Sequence, residues 1–365
     1  MVTIQLKKCV FMFLIFLTLV LTLCGQARAE TSPLQVCVTT PDLASLVREV
    51  GGDRVAITVF AKPTEDPHFV EAKPGFIKAL NGCDLYVQTG LELELGWAPV
   101  LLENARNGGI LPGSAGFLDA STAIAPLEIP TQPVDRSMGD VHPRGNPHYL
   151  LDPLNGLKVA GLIRDKLSEL QPADQDYFSG HHQDFAQRLG RSFIGEQLAA
   201  KYSLIDIEKL ALLFEHGKLR AYLEGQNETA LLGGWLGLMQ AHAGVKAVDD
   251  HNLWPYFAHR FGVRILGHLE PKPGVPPTTR HLQSIIAEMR AEDVPVIITA
   301  PYYDPRHARF VMEQTGAVAA PLANQPGSRT GTDDYLDLID YNVREMAKAI
   351  QTSRDRGPKT RSTPV

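Results

Sequence analysis

From residue 34 onward the chain alternates short apolar runs with segments whose apolar residues recur at helical spacing. Residues 34–39, 55–60 and 84–88 read as strands. Between the first two, Pro41-Asp42 opens a helix carried by Leu43, Leu46, Val47 and Val50 and ended by Gly51-Gly52. A shorter helix is expected around residues 76–80. Residues 107–147 are rich in Gly and Pro and read as loop. A helix then starts at Asp152-Pro153 and runs through Leu157, Leu162 and Leu167. Phe178, Phe185, Leu189 and Phe193 space a polar stretch into one long helix. A second half repeats the alternation, with strands at 245–248, 263–266 and 294–298, helices at 282–289 and 306–313, and a closing helix at 333–350. Strand–helix–strand order implies parallel strands joined by right-handed crossovers. The expected fold is therefore α/β, with two parallel-sheet lobes joined by one long rigid helix and a ligand in the cleft between strand ends. The bounds are an N-terminal lobe over 30–171, a linking helix over 172–202, a C-terminal lobe over 203–351, and a polar, disordered tail over 352–365.

The first 29 residues have another character. Lys7 and Lys8 precede an apolar run over residues 9–23, and Ala27-Arg28-Ala29 offers a small-residue cleavage site. This is the layout of a secretory signal peptide, and the run is short for a membrane span of roughly 20 residues. Cleavage after Ala29 yields an exported, periplasmic protein. Lipid attachment at Cys24 is the weaker alternative, because Leu23 is bulky where lipoprotein signals carry a small residue. The full chain has 365 residues and a formal charge of −6, and losing Lys7, Lys8 and Arg28 makes the mature charge −9. Such a surface argues against nucleic acid as a partner. Cys37 and Cys83 remain after cleavage and are expected as buried free thiols, not a disulfide scaffold.

Three of the twelve histidines stand in unusual settings. His68 follows Glu65-Asp66-Pro67, His148 follows Asn146-Pro147, and His251 follows Asp249-Asp250. Each lies at a strand or loop end that can face the cleft, and the preceding prolines restrict the backbone leading into two of them. Neutral imidazole suits zinc, and three such nitrogens leave one tetrahedral position to fill. Nearby acids can orient the ring nitrogens turned away from a metal. Taken singly, each is equally readable as a surface or packing histidine. His181-His182 is expected to be solvated, and His216, His242, His259, His268, His281 and His307 to be surface or structural. Trp254, Tyr256 and Phe257 are expected to line the cleft wall. Gly233-Gly234-Trp235-Leu236-Gly237 lacks the strand context of a dinucleotide loop, and Asn227-Glu228-Thr229 is a sequon too short to carry weight.

The segments Asp66-Pro67-His68-x-x-Glu71-x-x-Pro74, Asn146-Pro147-His148-Tyr149-x-x-Asp152-Pro153 and His251-x-x-Trp254-x-Tyr256-Phe257-x-x-Arg260-Phe261-Gly262 occur in order. So do Glu270-Pro271-x-Pro273-Gly274, Asp334-Tyr335-Leu336 and Tyr341-Asn342. Together they resemble the zinc/manganese solute-binding proteins of bacterial ABC importers over nearly all of the mature chain. The resemblance implies two lobes bridged by a helix and metal in their interface. It also implies that His68, His148 and His251 are ligands and that the partner is an importer permease. That family usually adds an acidic ligand before the C-terminal Tyr motif. Here the neighbourhood reads Leu322-Ala323-Asn324-Gln325, and Ile298-Thr299-Ala300-Pro301 also lacks an acid. The fourth position is left to water, Glu65 or His142.

The resulting expectation is a monomeric binding protein without catalytic turnover, taking zinc, with manganese and iron as alternatives. One rival is an exported zinc hydrolase with Glu65 or Asp250 as general base, although no H-E-x-x-H spacing is present. Another is a metal-binding adhesin or sensor on the same fold. Residues 201–244 are longer than the family's usual connection and carry no assigned role.

Overall fold

The computed structural model describes residues 32–132, 142–272 and 275–356. The expected signal peptide, Cys24 and the end of the tail lie outside these, as do Pro273 and Gly274. No helix among the described residues is long and apolar enough to cross a membrane.

The first lobe is built from Leu34–Val38 (β1), Pro41–Gly51 (α1), Val55–Val59 (β2), Pro74–Asn81 (α2), Leu85–Gln88 (β3), Ala98–Ala105 (α3) and Phe117–Asp119 (β4). Its sheet has the order β2-β1-β3-β4, and every pair is parallel. Pro153–Leu170 (α4) and Gln175–Ile194 (α5) follow, then a helical segment of Glu196–Ala199 (α6), Leu204–Glu215 (α7), Leu219–Gln226 (α8) and Gly234–Gln240 (α9). The second lobe contains Lys246–Asp249 (β5), Pro255–Phe261 (α10), Arg264–His268 (β6), Thr279–Ala291 (α11), Val296–Thr299 (β7), Pro305–Thr315 (α12), Val318–Pro321 (β8) and Tyr335–Asp355 (α13). Its order, β6-β5-β7-β8, repeats the first sheet with all-parallel pairing.

Buried runs such as Val-Cys-Val in β1 and Val-Ile-Ile in β7 suit strands covered on both faces. Proline at the first turn sets φ for α1, α2, α10 and α12, where a missing N–H costs nothing. Aspartates cap α4, α12 and α13, with Asp152, Asp304 and Asp334 accepting from Leu154, Arg306 and Asp337 N–H respectively.

The two lobes are not independent. Val36 and Val87 of the first sheet, Phe185 and Phe193 of α5, and Val296 and Ala320 of the second sheet belong to one continuous apolar core. Separate outer clusters sit on each sheet's far side. Helix α5 packs on α1 and α4 and also on α9. Burying a large apolar side chain contributes roughly 1.5–3 kcal/mol, so prising the lobes apart along this core is costly. Tyr335 of α13 reinforces the junction by donating to Leu150 O at 2.7 Å, while its own N–H donates to Ser45 Oγ at 2.9 Å. Gly156 makes room for that tyrosine, since a Cβ there would stand 2.1 Å from the hydroxyl.

Several expectations are corrected in detail. The long helix is α5, ending at Ile194 rather than continuing to 202. Gly195 adopts φ +85, and a Cβ there would approach Gly233 Cα at 2.8 Å, so the chain turns against a neighbouring glycine. Residues 107–132 contain β4, a strand too short to register as a periodicity. The strand β8 went unread because Val-Ala-Ala-Pro, with two alanines and a closing proline, carries little strand signal. Residues 201–244 are helical, with Ser203 and Asp206 forming a capping box on α7. The closing helix runs to Asp355, into the segment read as tail, supported by Thr352 Oγ1 donating to Lys348 O at 2.7 Å. His181 is not simply solvated: its ring stacks on Tyr177 at 4.3 Å, and Arg164 reaches His182 at 3.4 Å. Trp254, Tyr256 and Phe257 are buried in the shared core, not lining a wall. Cys37 and Cys83 are both buried and free.

Candidate metal centre

The carboxyl ends of the parallel strands of both sheets face one another, and the histidines stand there. His68 sits in the short 3-10 turn Pro67–Phe69 that follows β2. Asp66 caps that turn, accepting from His68 N–H at 3.0 Å, and the same oxygen lies 2.7 Å from His68 Nδ1. An Asp-Pro-His sequence therefore closes its own turn and aims the ring in one stroke. His148 stands at the entrance to the turn Tyr149–Leu151 ahead of α4, with its N–H donating to Asn146 Oδ1 at 3.0 Å. His251 follows the end of β5, and its Nδ1 is 2.8 Å from Glu270 Oε2. His142 lies upstream of His148 in an irregular segment.

These four rings form a chain of near neighbours. His68 and His142 have centroids 5.1 Å apart, with Nε2 to Nε2 at 3.0 Å. His68 to His148 is 5.3 Å, and His148 to His251 is 6.5 Å. Tyr303 stacks on the far side of His251 at 5.4 Å and 26°. Glu65 is engaged elsewhere, accepting from Lys62 N–H at 3.1 Å to close its own turn. No group of three or more His, Cys, Asp or Glu among the described residues has its donor atoms already at metal-binding spacing. Two nitrogens at 3.0 Å share one hydrogen bond, in which one carries the proton and the lone pair of the other accepts it, so neither is turned to a common centre.

The electrostatics favour neutral rings at His142 and His148. Burial, then the neighbouring His68 and His251, push the His142 imidazole down to about 3. The same causes, joined by His142, hold His148 well below its ordinary range. Burial pushes Asp66 upward, but the hydrogen bond and charge of His68 outweigh it and leave the carboxyl below the usual value. His142 and His148 are thus held neutral, while His68 and His251 are tethered through Nδ1 to carboxylates. Neutral imidazoles with an outer carboxylate are what a borderline-soft dication binds.

Behind His148 lies a small polar cavity of about 20 Å³, lined by Asp42, Thr40, Tyr302, Asn324 and Gln325 among others. Asn324 Oδ1 and Gln325 Oε1 are buried there without a hydrogen-bond partner among the described residues. On the second lobe, Asp250, Glu270, Tyr303 and His307 line a larger cavity of about 290 Å³. The remaining histidines serve other contacts: His268 Nδ1 lies 2.6 Å from Asp249 Oδ1, and His281 Nε2 is 3.0 Å from His268 O.

The sequence picked out His68, His148, His251 and His142, and the structure brings these together. Individual recognition of Asp66, Glu270, Tyr303 and Asn146 was missing. Asp66 was readable as a turn cap two residues before His68. Glu270 and Tyr303 were not, since they reach His251 only across strand crossovers.

A family model for ZnuA, the periplasmic component A of the zinc-uptake complex, matches residues 36–222 and 237–349. The metal ABC transporter substrate-binding lipoprotein ScbA of Streptococcus cristatus is 21% identical over 355 residues, covering 94% of this chain and 99% of its own length. The manganese ABC transporter substrate-binding lipoprotein PsaA of Streptococcus mitis is 19% identical over 354 residues, with the same coverage of 94% and 99%. Among solved structures, a crystal structure of ZnuA superposes with TM-score 0.59 at 20% identity, covering 88% of this chain and 99% of that one. A manganese-bound periplasmic metal-binding protein from Candidatus Liberibacter asiaticus gives TM-score 0.60 at 16% identity, with coverage of 86% and 98%. Both share the two-lobed α/β fold. The stretch between the two matched segments, residues 223–236, runs from the second half of α8 into the start of α9, in the helical segment ahead of the second sheet.

Proposed function

The chain belongs to the family of zinc-uptake complex component A, and on that premise we propose that it captures one divalent metal ion, zinc in preference to manganese, and hands it to the permease of an ABC importer. Capture and delivery are the work of its relatives, which are metal ABC transporter substrate-binding proteins. The ligands in this reading are His68, His142, His148 and His251. One observation carries it: four imidazoles from both lobes stand in sequence at 5.1, 5.3 and 6.5 Å. A rotation of His68 or His142 that breaks their mutual hydrogen bond turns their nitrogens toward a shared centre. Asp66 and Glu270 then steady His68 and His251 from behind through Nδ1.

Metal preference follows from the donor set. Four nitrogen donors fill a tetrahedron suited to zinc, whereas manganese favours carboxylate oxygen. His142 and His148 are already neutral, so a metal displaces no proton from them. The function is binding without turnover. Export follows the lipoprotein relatives, and cleavage after Ala29 with release into the periplasm is the form inferred for this chain. An intact-mass measurement finding lipid on Cys24 would overturn that form.

The deciding experiment strips the purified mature protein and offers zinc, manganese and iron(II) in competition. One zinc per chain, held more tightly than manganese and lost in a His148→Ala variant that keeps its circular dichroism, supports the reading. Stoichiometric manganese binding with weak zinc binding would overturn the metal, and no binding of any of the three would overturn the function.

A further inference from the structure

We propose that Asn146 and Glu128 form an inter-lobe latch that holds His148 and His251 at ligand spacing before metal arrives. The inference rests on the ligand reading above and assigns positioning roles to two residues that touch no metal in that reading. Asn146 uses every polar group it has. Its N–H donates to Leu127 O at 2.9 Å, and its carbonyl accepts from Tyr256 Oη at 2.8 Å. Its Oδ1 accepts from His148 N–H at 3.0 Å, and its Nδ2 donates to Asn252 O at 2.9 Å and to Glu128 Oε2 at 3.2 Å. One side chain therefore grips the backbone of one candidate ligand and the residue next to another, 106 positions away in sequence.

Glu128 completes the device. Its Oε2 also accepts from Asn252 Nδ2 at 2.7 Å, so one carboxylate oxygen draws amides from both lobes to a single point. Glu128 reaches that position with φ +56, a left-handed conformation that non-glycine residues rarely adopt. Leu127 N–H donates to Tyr256 Oη at 2.9 Å and pins the same turn to α10. Asn252 and Tyr256 of the opposite lobe hold that turn in place. The shared core keeps the lobes together, but it lies behind the site. At the cleft mouth, the spacing of His148 and His251 is set by this network.

The test uses the mature protein and four variants: Asn146→Asp, Glu128→Ala, Glu128→Gln and His148→Ala. Asn146→Asp keeps the acceptor for His148 N–H and sets a carboxylate against Glu128 and Asn252 O. Glu128 is exposed, so Glu128→Ala folds even if the first variant does not. Zinc affinity by chelator competition, zinc dissociation rate and the cobalt(II) ligand-field spectrum are read for each. The expected result is zinc binding weakened about 10- to 100-fold in Asn146→Asp and Glu128→Ala, the cost typical of losing groups behind a metal ligand. Both show faster dissociation and an altered cobalt spectrum, Glu128→Ala does so at unchanged melting temperature, and Glu128→Gln, which keeps an acceptor, stays close to the parent. Parent-like affinity and spectrum in both disruptive variants would overturn the latch. So would Glu128→Gln falling as far as Glu128→Ala, which would make charge alone the cause. A parent that binds no zinc, or a His148→Ala variant that binds normally, would remove the ligand reading, and the latch with it.

Discussion

The two sheets share one topology yet do different work at their strand ends. The first lobe, ordered β2-β1-β3-β4, presents His68, His142 and His148, while the second, ordered β6-β5-β7-β8, presents His251 alone. The second lobe instead concentrates carboxylates: Asp249 and Asp250 are buried beside His251, and Glu270 holds its ring. Equal scaffolds therefore carry unequal loads: the first lobe holds three of the four candidate imidazoles with Asp66 behind one of them, and the second holds the fourth among three carboxylates. The lesson is that sheet order places a site without deciding what fills it. Loop residues after equivalent strands decide that, because only they point into the cleft.

If the loads are as unequal as they look, single ligand losses should still cost alike, since each removes one of four nitrogens. His148→Ala and His251→Ala are both expected to weaken zinc binding by more than the 10- to 100-fold usual for an outer partner. Competitive titration checks this, and a mild effect for only one would show that one lobe binds without the other. The carboxylates behind the rings come next. Asp66→Ala and Glu270→Ala should each cost about 10- to 100-fold, with Glu270 at the higher end because its side chain is 14% exposed against 25% for Asp66. Equal affinities in parent and both variants would mean the rings need no tether.

A third contrast concerns buried acids at strand ends. In the first lobe, Glu94 accepts from Thr39 Oγ1, Thr89 N–H and Gly90 N–H, yet burial pushes its carboxyl up to about 7. A carboxyl with its folded value raised binds its proton more tightly folded than unfolded. Its contribution is complete below the unfolded value of 4.5 and is lost as pH rises toward 7. The slope is at most about 1.4 kcal/mol per pH unit. Melting curves of the metal-free protein between pH 4.5 and 7 should therefore fall more steeply for the parent than for Glu94→Gln. Parallel curves would show that the carboxyl is not perturbed. The smallest effect expected is in shape. Because the lobes share one apolar core through α5, zinc should change the radius of gyration by less than about 1 Å. Solution scattering showing a large compaction would mean the cleft closes by hinge bending.

Much of this was legible in the chain. The helical spacing of Leu43, Leu46, Val47 and Val50 marked α1, and Phe178, Phe185, Leu189 and Phe193 marked α5, because helical burial repeats along a contiguous stretch. β4 escaped, since a strand of three residues offers too few positions to establish a period, and β8 because Val-Ala-Ala-Pro carries little strand signal. The helices of residues 201–244 escaped as well, although the Ser203–Asp206 capping box lay in plain view. His181 and His182 were misjudged because a polar helix face reads as solvated whether or not another helix covers it.

What the sequence determined by itself was the α/β alternation, the family motifs and the candidate donors, all of which are local or ordered along the chain. His68 even carries its own orienting group, because Asp66 is close enough in sequence to cap the turn. Tertiary structure alone decided that His142 lies against His68, that Glu270 and Tyr303 confine His251, and that Asn146 and Glu128 meet Asn252 across the lobes. Those contacts join residues separated by a crossover or by the whole bridging helix. Their geometry is set by how two sheets pack through one core, a property no local pattern encodes.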